Sequence, residues 1–261
     1  MKYTDVINAV ETAAPPELAE SWDSSGVQIF TGNRNISRIL TTLDIDEDVV
    51  AEAVTKECDM IVSHHPLLFG GIGNIDADDP LGNMVLGLIK NDISVYSAHT
   101  SFDSAPEGNN VYLAKKLGLS KIRLSRDEDN GVTGAVSETA SDGVITLKDL
   151  IGIAEERLGL RAGYCSAEGN PDAVVRKIGI CTGAGFDFIE QARREGCQVL
   201  ITGDVKHHQA MEAKQDGIAV IDAGHWGTEK SFAENMASQL RALIADVEII
   251  ESDVNTDPFM V

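Results

Sequence analysis

The chain lacks any uninterrupted apolar run near the ~20 residues that a membrane-spanning helix requires. Its opening residues, Met1-Lys2-Tyr3-Thr4-Asp5, show no basic stretch followed by an apolar one. A cytoplasmic protein with no membrane partner is therefore expected. The four cysteines, Cys58, Cys165, Cys181 and Cys197, have no CxxC spacing; this argues against a cysteine-based zinc site and for reduced, partly buried thiols. Positive charge is scarce as well: 21 Lys and Arg stand against 42 Asp and Glu, a net charge of −21, with no run of basic residues. A partner that reads a phosphate backbone needs a basic face, so nucleic acid is not the expected partner. The acid excess suits a high-salt host, where the Debye length shrinks to ~3 Å and self-repulsion is screened. No G-x-S-x-G elbow is present, and Ser63 beside His64 offers no presented nucleophile, so a Ser-His-Asp hydrolase has little support. Phe69-Gly70-Gly71-Ile72-Gly73-Asn74 is too irregular for a dinucleotide fingerprint.

What is present is an ordinary globular composition, 43 % hydrophobic and 24 % charged over 261 residues, enough for one large α/β domain or two lobes. Apolar spacing predicts helices over 4–14, 46–56, 80–90, 109–117, 146–158 and 186–195, and a long one over 228–245. Short apolar runs predict strands over 36–43, 59–63, 93–98, 178–182, 199–202, 219–222 and 247–251. Strand and helix alternate, which predicts an α/β layered fold. Residues 124–145 are polar and turn-rich. A lobe boundary placed there gives a first lobe over 1–125 and a second over 126–261, the last helix and strand being open to packing on the first.

The halves echo one another. Arg38-Ile39-Leu40 is matched by Arg176-Lys177-Ile178, Cys58–Val62 by Cys197–Ile201, and Ile93–His99 by Ile218–His225. Two related α/β lobes facing a shared cleft follow from this pattern.

The histidines carry the functional signal. All six, at 64, 65, 99, 207, 208 and 225, follow apolar strands. In α/β sheets functional groups gather at the carboxyl ends of strands. His99 and His225 are each followed four residues later by a carboxylate, Asp103 and Glu229. Imidazole and carboxylate without sulfur suit zinc, manganese, iron or a similar divalent ion. So many donors exceed what one catalytic zinc takes. Two ions ~3.5–4 Å apart, which together activate water and polarise the bond it attacks, fit the set better.

Ser63-His64-His65-Pro66-Leu67, His99-Thr100-Ser101-Phe102-Asp103 and Gly224-His225-Trp226-Gly227-Thr228-Glu229 together resemble the NIF-three-like family (NGG-one-interacting factor three-like). Its prokaryotic members are often called GTP cyclohydrolase 1 type 2 homologs. The resemblance runs from Trp22-Asp23 to Asp257-Pro258-Phe259. It implies a two-lobed α/β fold, a toroidal homohexamer and a dinuclear metal site with ligands His64, His65, Asp103, His225 and Glu229. It implies His99 beside the metals as the proton-transfer residue, and Asp204 and His208 near the cleft. Where the family usually has asparagine, this chain has Ser101. The implied activity is hydrolytic opening of the GTP imidazole ring with release of formate, on GTP or another nucleotide as small-molecule substrate. The amides of Gly183-Ala184-Gly185 would either meet its phosphates or serve a tight turn. The competing reading is a metal-handling or scaffold hexamer without turnover.

Overall fold

The structure, a computed structural model, describes residues 1–124, 131–136, 145–165 and 170–259. Its described part divides into two compact units, 1–108 with 232–261, and 109–231. The last helix and strand thus belong with the first unit. The boundary expected between 125 and 126 lies outside the described residues.

The first unit is built on a five-stranded sheet in the order Gly26–Ile29, Ser94–Ser97, Met60–Ser63, Arg38–Thr42, Glu248–Glu251. All neighbours are parallel except Gly26–Ile29, which runs antiparallel at the edge. Two of the three inner strands, Met60–Ser63 and Ser94–Ser97, are buried along their whole length. That is why they read as short continuous apolar runs rather than as alternation. Helices Tyr3–Ala13, Glu47–Thr55, Pro80–Lys90 and Phe232–Leu243 cover the sheet. Asp46 caps the second of these by accepting from the Val49 amide at 2.8 Å, a contact worth about 1 kcal/mol.

The second unit holds a six-stranded sheet in the order Leu119–Leu124, Val132–Val136, Lys177–Ile180, Val199–Thr202, Ala219–Asp222, Gly163–Cys165. Its three parallel strands, Lys177–Ile180, Val199–Thr202 and Ala219–Asp222, repeat the central trio of the first unit in the same chain order. Antiparallel strands extend it on both sides. The sequence reading missed those flanking strands, because Val132–Val136 lies in a stretch whose polar neighbours masked its apolar pattern.

The repeat extends to side chains. Asp59 Oδ2 accepts from the amides of Ser37 and Arg38 at 2.7 and 3.0 Å. Gln198 Oε1 accepts from those of Arg176 and Lys177 at 3.0 and 2.9 Å. Each side chain ties the entrance of its own strand to that of the preceding one. The hydrogen-bond register also corrects one correspondence. The Ala98 amide donates to Ser63 O, and the Ala223 amide to Thr202 O, both at 2.8 Å. His99 therefore matches Gly224, and His225 lies one residue further on.

Two expectations fail locally. The long helix expected over 228–245 is two helices, His225–Glu229 and Phe232–Leu243. Thr228 Oγ1 donates back to the carbonyls of Gly224 and His225, a contact that bends a helix, and the chain passes from the second unit to the first at Ser231. His207 and His208 do not simply follow a strand: they open the helix His207–Asp216 and are exposed. Among the described residues no helix is long and apolar enough to cross a membrane. Cys58, Cys181 and Cys197 are buried; burial pushes the Cys58 thiol up to about 11 and the Cys197 thiol up to about 12. The Cys165 side chain lies outside the described set.

Candidate functional site

In the first unit the strand Met60–Ser63 delivers His64 and His65 at its carboxyl end. The amides of both donate to the Leu43 carbonyl. Ser63 Oγ donates to the His65 carbonyl at 2.9 Å, so the backbone of the pair is fixed. His64 is fully buried and packs on Phe232 with ring centroids 5.0 Å apart. His99 leaves the neighbouring strand and is the N-cap of a one-turn helix, Thr100–Asp103. That turn carries Asp103 to the buried side, with its Oδ2 3.7 Å from His64 Nε2. His64, His65 and His99 offer ligand nitrogens that all lie within 4.8 Å of one another.

Each of these imidazoles is aimed by an acceptor on Nδ1. His64 Nδ1 meets the Ala98 carbonyl at 2.9 Å, His65 Nδ1 meets Asp44 Oδ1 at 2.6 Å, and His99 Nδ1 meets Asp23 Oδ1 at 2.7 Å. A carbonyl or carboxylate oxygen only accepts, so the proton sits on Nδ1 and the Nε2 lone pair points away. Histidine ligands of metals are held in this way. Asp44 is braced in turn by Thr256 Oγ1 at 3.0 Å.

Asp23 is solvated by protein. Its side chain is fully buried, yet it accepts from five donors: the Ser24 amide, Ser25 Oγ, His99 Nδ1, the Thr100 amide and Thr100 Oγ1. Burial alone would raise its pKa. The hydrogen bonds from His99, Ser25 and Thr100 outweigh burial and hold the carboxyl well below the usual range.

In the second unit the one-turn helix places His225 and Glu229 on one face, with His225 Nε2 3.1 Å from Glu229 Oε2. His225 Nδ1 donates to Asp204 Oδ2 at 2.8 Å. Asp204 adopts a left-handed backbone, φ 54°, two residues past the end of the strand Val199–Thr202. Gly183 makes room for the pair: a Cβ there would lie 2.2 Å from Glu229 Oε1 and 3.3 Å from His225 Nε2, and its φ is +66°. The Gly183 amide donates to Thr228 Oγ1 and the Gly185 amide to Thr202 Oγ1. Of the two alternatives for Gly183-Ala184-Gly185, the geometry is therefore that of a tight turn. His208 is exposed on the first turn of its helix.

The donor sets fit a divalent cation. With Nδ1–H given to Asp204, the Nε2 lone pair of His225 faces an anionic carboxylate oxygen; a proton or a metal cation is needed between them. Two donors each ~2 Å from one tetrahedral ion stand about 3.3 Å apart, close to the 3.1 Å of this pair and the 3.7 Å of His64 and Asp103.

The sequence reading assigned the imidazoles and missed two acceptors behind them, Asp23 and Asp44. Asp44 carried the same signal as the histidines, a polar residue just past the end of a buried parallel strand. Ser101 is buried, and its hydroxyl has no hydrogen-bond partner among the described residues.

The family profile described as Duf34/NIF3 (NGG1p interacting factor 3) matches residues 1–258. A Clostridium perfringens protein named GTP cyclohydrolase 1 type 2 homolog is 35 % identical over 264 residues, covering 99 % of each chain. The Schizosaccharomyces pombe protein NIF3 homolog is 30 % identical, over 95 % of this chain and 94 % of its own. The crystal structure of the Staphylococcus aureus hypothetical protein SA1388 superposes with a TM-score of 0.91 at 27 % identity, covering 100 % of this chain and 99 % of that one. The chain belongs to the DUF34/NIF3 family.

Proposed function

We propose that this protein is a dinuclear-metal-dependent hydrolase of the GTP cyclohydrolase 1 type 2 kind, opening a nucleotide imidazole ring with release of formate. The ligands in this reading are His64, His65, Asp103, His225 and Glu229. The observation that carries the reading is the Nδ1 pattern: four imidazoles, His64, His65, His99 and His225, each donate from Nδ1 to an oxygen and leave Nε2 for other work. Relatives named GTP cyclohydrolase 1 type 2 homolog, at 34–35 % identity over nearly their whole length, support the reaction class.

Divalent ions bound there supply Lewis acidity, activating water at neutral pH and polarising the bond it attacks. The remaining work falls to the chain. Each C–N cleavage needs a proton taken from water and one delivered to the departing nitrogen. His99 Nε2 performs both transfers, and Asp23 holds the ring in the required tautomer and steadies its charged form. The GTP in the name of the relatives supports a nucleotide as substrate, and a homohexamer is the assembly that the resemblance implies.

The competing reading, a metal-handling or scaffold protein without turnover, draws support from one feature. The His99 ligand nitrogen is close enough to those of His64 and His65 to act as a third ligand. The test is formate release from GTP by metal-loaded protein. His99→Ala should keep its metal and lose turnover by about 100-fold or more. Unchanged release in that variant removes His99 as the proton-transfer residue, and no release from the parent chain with any nucleotide removes the hydrolase.

A further inference from the structure

The chain is poor in aromatic residues, at 5 %, yet two of them stand exposed beside His99. Trp22 is 61 % and Phe69 60 % exposed. Trp22 packs edge-on to His99 with ring centroids 6.0 Å apart and Phe69 does so at 6.5 Å; the two lie 6.4 Å from each other. All three belong to the first unit. The mutual contacts are edge-to-face rather than stacked, and each of the two rings keeps more than half of its surface open. Trp22 is also chained to the machinery, since the next residue is the Asp23 that holds His99. Exposing two large aromatic side chains costs apolar hydration, and neither has a packing duty that accounts for it.

The surroundings define what would lie there. Residues 20–30 and 59–79 contain no Lys or Arg, so neither segment offers a fixed cationic side chain to pair a phosphate. An uncharged π-face suits a flat, poorly hydrated ring. We infer that Trp22 and Phe69 form a stacking platform for a planar heteroaromatic ring, seating the base end of the substrate against His99. This inference rests on the hydrolase reading and adds its specificity-determining residues.

The test uses the full metal-loaded chain carrying Trp226→Phe, which leaves Trp22 as its sole tryptophan, since the sequence has two. Guanosine is titrated against Trp22 fluorescence, with ribose 5-phosphate as the ring-free probe. Saturable quenching by guanosine and none by ribose 5-phosphate is expected. In calorimetry Trp22→Ala and Phe69→Ala should each weaken guanosine binding by about 10-fold with metal content unchanged.

Absence of quenching overturns the platform, as does unchanged affinity in both variants. So does a change confined to the sedimenting mass of the assembly, which would make the patch a contact between copies of this chain. The two readings fail separately. Guanosine binding without formate release removes the hydrolase and keeps the platform. Formate release from GTP with unaltered KM in both variants removes the platform and keeps the hydrolase.

Discussion

Asp23 shows how much of the candidate site is decided by residues that would touch no substrate. Its carboxylate is buried and satisfied by five donors, so Asp23→Asn keeps the volume and loses the charge that fixes His99. Turnover should fall about 10–100-fold with metal content retained, measured as formate release against elemental analysis. The same depressed pKa has a stability consequence. A carboxyl lowered on folding stabilises the native state above its unfolded value of about 3.9, and that contribution is lost as pH falls toward the folded value. In urea titrations the gap between the parent chain and Asp23→Asn should therefore be full near neutrality and shrink below about pH 4. Gly183 offers a second residue-scale test. An alanine Cβ would be driven into the Glu229 carboxylate at a positive φ, so Gly183→Ala should weaken metal binding about 10–100-fold in a competition titration with a chelator. Ser101 points the other way. Its buried hydroxyl lacks a partner among the described residues, so Ser101→Ala should leave the melting temperature unchanged or raise it.

At the scale of elements, the same construction is used twice. Asp59 and Gln198 each accept two backbone amides where one strand enters beside another. Asp59→Ala and Gln198→Ala should each cost about 1 kcal/mol in chemical denaturation, because two strand-end donors exchange their partner for water in each case. The sequence disclosed the buried parallel strands and most helices, since Met60–Ser63 and Ala219–Asp222 are short apolar runs and the helices Glu47–Thr55 and Leu147–Leu158 carry an apolar spacing. It did not disclose the break between Glu229 and Phe232. Residues 228–231 hold no proline or glycine to mark a break, and only the back-bonding of Thr228 and the return to the first unit end the earlier helix. The one-turn helix Thr100–Asp103 was hidden for a different reason, being too short to show a period. For the site, residue types and strand ends identified the imidazoles. Asp23 and Asp44 stayed hidden because pairing an imidazole with its acceptor depends on contacts between residues 76 and 21 positions apart.

At the scale of the whole molecule, 42 acidic against 21 basic residues leave a self-repelling surface. Raising monovalent salt from about 0.01 M to about 1 M shortens the Debye length from ~30 to ~3 Å, so the melting temperature should climb over that range; a fall would show that the excess acid does not govern stability. The same charge draws cations in general, so specific binding must be separated from diffuse attraction. The measurement that bears most directly on the central claim is the divalent-metal content per chain of protein dialysed at high salt, for the parent and for His64→Ala and Glu229→Gln. The account expects two ions per chain in the parent and fewer than two in each variant. A parent chain without bound metal after loading, or variants that keep the full complement, would contradict it.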